Sequence, residues 1–240
     1  MTKLNPKLRD PAGGAEFSTD CCKCSRIATL LKNVRKDHPD YYAKPVAPFG
    51  EAKPQLLIVG LAPGMHGANR TGRPFTGDYA GILLYETLHK YGFANHPNSI
   101  DAKDNLRLID CRITNAVKCL PPENRPLPEE IRLCNGYLRN ELSRLYAGTA
   151  ILALGRIAHQ AVLMALNLKS SLYPFLHGGQ FLLPNRLIFF DSYHCSRYNT
   201  QTRRLTREMF EAVFDQICAQ LNQAKTVRPH RQKNEVSILV

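Results

Sequence analysis

This chain predicts an α/β fold, a parallel sheet covered by helices on both faces. From about residue 55 onward, short apolar runs alternate with longer stretches of helical spacing, the pattern of successive strand–helix units. A glycine-rich stretch directly follows the first strand, and sheets of this type bind ligands beyond the carboxyl ends of their strands.

The elements follow in order. "QLLIVG" (55–60) reads as a buried strand, and "GILLYETLHKYGF" (81–93) as a helix with Leu84, Leu88 and Tyr91 along one side. "CRITNAV" (111–117) is the second strand. Residues 127–145 form a helix, with Pro128 near its start, Glu129 and Glu130 in the first turn and Arg144 in the last. A third strand at 149–154 and a helix at 156–166 come next. "FLLP" (181–184) and "RLIFFD" (186–191) read as hairpin-related strands. The last helix, 202–223, repeats apolar residues at Phe210, Val213, Ile217 and Leu221. No internal repeat is present.

Composition bounds the possibilities. A chain of 240 residues with 44% hydrophobic content supports one sizeable domain, placed at 1–224, followed by a polar, basic, flexible tail at 225–240. No run approaches the ~18 apolar residues needed to span a bilayer. The N-terminal stretch lacks the charged-then-apolar form of a signal peptide, which points to the cytoplasm. Net charge is +12, from 32 Lys plus Arg against 20 Asp plus Glu, and suits a polyanionic partner. Trp is absent, so any stacking on bases falls to Phe, Tyr or His.

"GLAPGMHGANRTGRPFTGDYAG" (60–81) carries six glycines and two prolines around His66, Asn69, two Arg and Asp78. Glycine costs backbone entropy, so such a cluster points to turns or to close backbone approach. No G-K-[ST] closes the loop, since Arg73 and Pro74 follow Gly72, which excludes a Walker phosphate loop.

Eight cysteines in a reducing compartment argue against a disulfide framework and leave metal or cluster ligation to be weighed against unconnected core thiols. Cys21 and Cys24 form a C-x2-C pair, with Cys22 between them, and Cys119 and Cys134 form a C-x14-C pair. Four thiolates suit zinc or an iron–sulfur cluster equally. Cys111, Cys195 and Cys218 read as core thiols.

The glycine-rich stretch, "ITNAVKCLPPENRPL", "DSYHCSRYNTQT" and the cysteine pairs together resemble the iron–sulfur uracil-DNA glycosylases, specifically family 5 (the B type), over about residues 20–222. Family 4 enzymes carry Glu where this sequence has Leu61 and lack an Asp at the position of Asp78, and both differences favour the B type. The resemblance implies a three-layer αβα sandwich around a central, mainly parallel four-stranded sheet. It also implies a structural [4Fe–4S] cluster held by Cys21, Cys24, Cys119 and Cys134, which would staple the N-terminal arm to the segment after the second strand.

The implied activity is monofunctional removal of uracil, and of hypoxanthine and other deaminated bases, from double-stranded DNA, the opening step of base excision repair by a monomeric enzyme. Asn115 would read the base, because its amide matches uracil O4 and N3–H while cytosine presents the reverse. His194 would donate to O2 of the departing anion, and Asp78 would orient or deprotonate water, although Asp78 also suits a helix N-cap. Phe75 would stack on the extruded base, and the backbone of Gly60, Leu61, Ala62 and Gly64 would contact base or phosphates. Arg197 and Tyr198 would enter the minor groove, with Arg203, Arg204 and Arg207 on phosphates. The expectation of a monofunctional enzyme rests on finding no lysine in these motifs for a Schiff base. The competing readings are a family 4-like enzyme restricted to uracil and a non-catalytic, cluster-bearing nucleic-acid-binding protein.

Overall fold

A computed structural model describes residues 16–226. Among the described residues the first helix is α1 (Ser25–Asp37), followed by a two-residue strand β1 (Phe49–Gly50) and the first long strand β2 (Leu56–Gly60). A single helical turn α2 (Ala68–Thr71) and helix α3 (Tyr79–Lys90) lead to β3 (Cys111–Asn115). Helix α4 (Pro128–Ser143), β4 (Ala150–Leu154) and α5 (Arg156–Ala165) follow. The chain closes with β5 (Gln180–Leu182), β6 (Ile188–Ser192), α6 (Arg197–Gln201) and α7 (Arg207–Thr226).

The sheet has six strands in the order β1-β3-β2-β4-β6-β5. The four central strands are parallel, as the alternation of strands and helices requires. The expected count of four is thus extended by two short antiparallel edges, β1 against β3 and β5 against β6. Their brevity is the reason: strands of two and three residues leave little trace in a sequence, and short edges also discourage pairing with other chains. The pairing of β5 with β6 fits the hairpin relation read from the sequence.

Because side chains alternate across a strand, each central strand feeds two cores. Leu56 and Ile58 face α3 and α7, packing with Leu84, Leu88, Phe210 and Phe214. Leu57 and Val59 face α4 and α5, packing with Leu138, Leu142, Ala161 and Val162. Full burial of a Leu or Phe side chain contributes roughly 1.5–3 kcal/mol, so these two layers dominate the stability of the domain.

The N-terminal segment, for which no element was read, contains a helix: α1 buries Ile27, Leu31 and Val34, spaced i, i+4 and i+7, against the start of α4. One boundary needs correction. The last helix begins at Arg207 rather than residue 202, because Arg203 takes a left-handed φ of 56° and breaks the turn. Thr206 then caps the new start, its Oγ1 accepting from Met209 N–H at 3.2 Å. Of the basic segment 225–240, the first two residues complete α7 and the remainder lies outside the described residues. Among the described residues no helix is long and apolar enough to cross a membrane.

Candidate active site

Parallel strands end at the same edge of a sheet, and here β2 and β3 end side by side, with Gly60 opposite Asn115. Gly60 is glycine because nothing larger fits: a Cβ there would collide with Asn115 Oδ1 and stand 2.7 Å from the Phe75 ring. The carbonyls of Gly60 and Leu61 accept from Ala116 and Val117 N–H, both at 2.9 Å, and that of Gly64 from Asn69 N–H at 3.0 Å. Ala62 packs against the cysteine region.

Phe75 is buried and held at a left-handed φ of 54°, a strained conformation for a bulky residue. The surroundings enforce it. Tyr85 donates its hydroxyl to Pro74 O at 2.8 Å, and Arg73 reaches Thr76 Oγ1 at 2.8 Å, Ser99 Oγ at 3.0 Å and Asp104 Oδ2 at 2.6 Å. Burial would raise the Asp104 carboxyl, but Arg73 and three backbone N–H groups outweigh it and hold Asp104 well below the usual carboxylate range. The strain at Phe75 is therefore fixed by a tight polar clamp. The Phe75 ring stacks on His194 with centroids 5.8 Å apart and planes 29° apart.

Asp78 serves two directions at once. Its Oδ1 accepts from Gly81 N–H at 2.9 Å and caps α3. Its Oδ2 turns toward Gly67, where any Cβ would stand 2.5 Å away. Burial raises the Asp78 carboxyl above its ordinary value, and hydrogen bonds from Gly81 and Ala80 only partly oppose this. A carboxylate in this setting is a stronger base than one in water.

Asn115 is 4% exposed, and its Oδ1 is buried with no hydrogen-bond partner among the described residues. A buried acceptor left unpaired costs roughly 1–3 kcal/mol, so the arrangement makes physical sense as a socket for an incoming N–H. His194 follows β6; burial lowers its imidazole to about 4, so the ring is neutral at pH 7. Asn199 Nδ2 donates to His194 O at 2.8 Å and fixes the turn.

Sequence reasoning missed the support behind His194. Asp191 is fully buried on β6, and its Oδ1 lies 2.8 Å from His159 Nδ1 of α5. The other ring nitrogen of His159 lies 2.9 Å from Tyr173 O. This pair ties the loop before β5 to the strand that carries His194. An Asp ending an otherwise apolar strand and a His inside an apolar helix were its only trace.

The basic residues lie beside this site. Ser196 caps α6 by accepting from Asn199 N–H at 3.4 Å. Arg197 lies 5.9 Å over the Tyr79 ring, Arg204 lies 4.8 Å over the Tyr193 ring, and Tyr198 is 69% exposed. Arg203 and Arg207 line a groove of about 570 Å³ with Tyr79, Ile82 and Leu205. Arg207 is already engaged, its guanidinium 2.5 Å from Glu86 Oε2.

The four candidate ligand cysteines gather in one region although their pairs are far apart in sequence. Cys21, Cys24, Cys119 and Cys134 share a cluster with Ile27, Val117 and Tyr137. Burial first, and then Cys134, raises the Cys24 thiol to about 11; burial and the other three thiols raise Cys119 further still. Arg26 clamps Glu130 through Nε at 2.9 Å and through its Nη2 at 2.7 Å, fastening α1 to the start of α4 beside them. Among the described residues no group of three or more Cys, His, Asp or Glu is drawn together to hold a metal ion. A four-iron cluster gives each thiolate its own iron, so its ligands stand wider than those around one ion. The donor set and its convergence fit such a cluster.

The absence of a motif lysine also needs correction, for Lys118 stands within "ITNAVKC". It is 1% exposed and its Nζ donates to Glu141 Oε1 at 2.6 Å, so it is no candidate for attack on a sugar.

The profile of the uracil DNA glycosylase superfamily matches residues 47–218. A type-5 uracil-DNA glycosylase from Thermus thermophilus is 49% identical over 201 residues, covering 82% of this chain and 91% of that protein. Another, from Pyrobaculum aerophilum, is 37% identical over 204 residues, covering 83% and 88%. A type-4 enzyme from Pyrobaculum aerophilum is 38% identical over 140 residues, covering 58% and 63%. With a profile match over most of its length and relatives of this identity and coverage, the chain belongs to the type-5 uracil-DNA glycosylases of the uracil DNA glycosylase superfamily.

Proposed function

We propose that this protein is a monofunctional DNA glycosylase that releases uracil, and also hypoxanthine and other deaminated bases, from double-stranded DNA, opening base excision repair. The observation that carries the reading is the unpartnered Asn115 amide oxygen at the strand end, with Phe75, Asp78 and His194 around it. Asn115 Oδ1 accepts N3–H of uracil and its NH₂ donates to O4. Hypoxanthine offers the same edge through N1–H and O6, and the apolar Leu61 leaves no extra polar group unpaired by a purine.

The base is extruded and lies against Phe75. The C1′–N bond breaks with its electron pair passing to the base, and the neutral His194 donates to O2 of the resulting anion. Asp78 orients a water whose oxygen bonds to C1′, and takes its proton. Its negative charge also favours the positive sugar. Cys21, Cys24, Cys119 and Cys134 would hold a [4Fe–4S] cluster, which supplies a structural cross-link. The net charge of +12 supports DNA as the partner, with Arg197, Tyr198, Arg203 and Arg204 presented beside the site.

The test is release of free base from duplexes that each carry one lesion. We expect release of uracil and of hypoxanthine, with undamaged cytosine refused. Uracil without hypoxanthine at high enzyme concentration would return the chain to a uracil-restricted activity, and no release from either to a binding role. Iron analysis of anaerobically prepared protein tests the cluster, and zinc in place of iron would overturn it.

A further inference from the structure

A lysine buried to 1% exposure in a protein core stands only where its charge is matched. Lys118 lies three residues after Asn115 and one before Cys119. Its Nζ donates to Glu141 Oε1 of α4 at 2.6 Å and to Thr114 Oγ1. Thr114 Oγ1 donates to the same Glu141 oxygen at 2.9 Å, and Arg112 Nε stands 3.5 Å from the second one. The backbone of Lys118 is fixed as well: its N–H donates to Cys134 Sγ at 3.3 Å, and its carbonyl accepts from Val46 N–H at 2.7 Å.

Side chains alternate along β3, so Thr114 faces α4 while Asn115 faces Gly60 and Phe75 on the other side. Among the described residues the Asn115 Oδ1 has no partner to hold it, so the placement of that amide depends on the backbone that carries it. We infer that Lys118 is the positioning residue for Asn115: its ammonium fastens Thr114, on the reverse face of the strand end, to α4, and its amide ties the same segment to Cys134. This rests on the reading of Asn115 as the base-reading group.

The test uses the double variant Lys118→Met, Glu141→Leu, which removes both charges together and so leaves neither buried alone. Two quantities are measured: single-turnover release of uracil, and affinity for a duplex with an abasic-site analogue in place of the nucleotide. We expect the rate to fall about 10–100-fold, the scale of a misplaced reacting group, with affinity for the abasic duplex unchanged because no base is there to read. Adding Asn115→Ala to the double variant should cost nothing beyond Asn115→Ala alone, a non-additivity that general loosening of the fold would not give. Losses that multiply, or a lowered melting temperature with an unchanged rate, overturn the inference while leaving the Asn115 reading intact. A wild-type rate in Asn115→Ala overturns both, the base-reading assignment first.

Discussion

Two loops leave the same edge of the sheet and are held in opposite ways. The stretch 60–81 after β2 is drawn inward: Arg73 is buried, clamped to Asp104, and Phe75 and Gly67 close on their neighbours. The stretch after β6 is anchored at its root, where Cys195 is buried beside His194, and at Leu205, while Arg197, Tyr198, Arg203 and Arg204 between and around these anchors are exposed. The first loop shields a carboxylate from water, which strengthens it as a base. The second presents cations and a ring to solvent. The inward loop thus holds the carboxylate and the Phe75 ring, while the second loop holds an imidazole at its root and exposed cations beyond it.

Substitution should break the comparison most sharply at Asp78. Asp78→Asn should lower base release by about 10²–10⁴-fold, the usual general-base contribution, with duplex affinity nearly unchanged. A loss below about tenfold would leave Asp78 as a helix cap only. His194→Ala should cost on the order of 10²–10³ in rate, as removal of an oxyanion donor does.

The pH profile sharpens the same point. Burial raises Asp78, so the rate should fall on acidification at a pH above the ordinary aspartate value, as protonation removes the base. His194 becomes a cation only near pH 4, so a limb near pH 6.5 should be absent. An acid limb above the ordinary aspartate value, lost in Asp78→Asn, is the expected result, and an imidazole limb near neutrality would contradict it.

Asp104→Asn attacks the clamp of the first loop. Breaking a buried pair costs roughly 3 kcal/mol, on the order of 10 °C in Tm for a chain of this size. The sign with pH follows from the lowered Asp104 carboxyl: the pair stabilises above the ordinary carboxylate range, and that contribution is lost as pH falls through the folded value. Thermal melts from pH 7 down to 3 should show the difference between wild type and variant shrinking. The smallest effect belongs to the second loop. Arg197→Ala should weaken duplex binding by less than tenfold and reduce the salt slope by about one, with the rate of bound complex unchanged.

Much of this architecture was readable because it depends on local pattern. The central strands are apolar runs; Asn115 ends β3, His194 closely follows β6, and Asp78 closes the glycine-rich loop after β2, at the sheet edge where such folds place ligands. Helix α1 was obscured because its buried face is only three residues in a charged segment. The supports were invisible for another reason. Arg73 meets Asp104, His159 meets Asp191 and Lys118 meets Glu141 only after strands and helices pack, and no spacing along the chain encodes those encounters.

The convergence of the cysteines also sets an order of events during synthesis. Cys21 and Cys24 leave the ribosome long before Cys119 and Cys134, and α1 cannot dock until α4 supplies Glu130. At roughly 5–20 residues per second the first pair waits on the order of ten seconds. During that interval the early thiols and Cys22 stand without their later neighbours, open to oxidation or to a wrong metal. The segment made first is therefore among the last to fold, and the cluster proposed above would have all four of its thiols only after α4 has emerged.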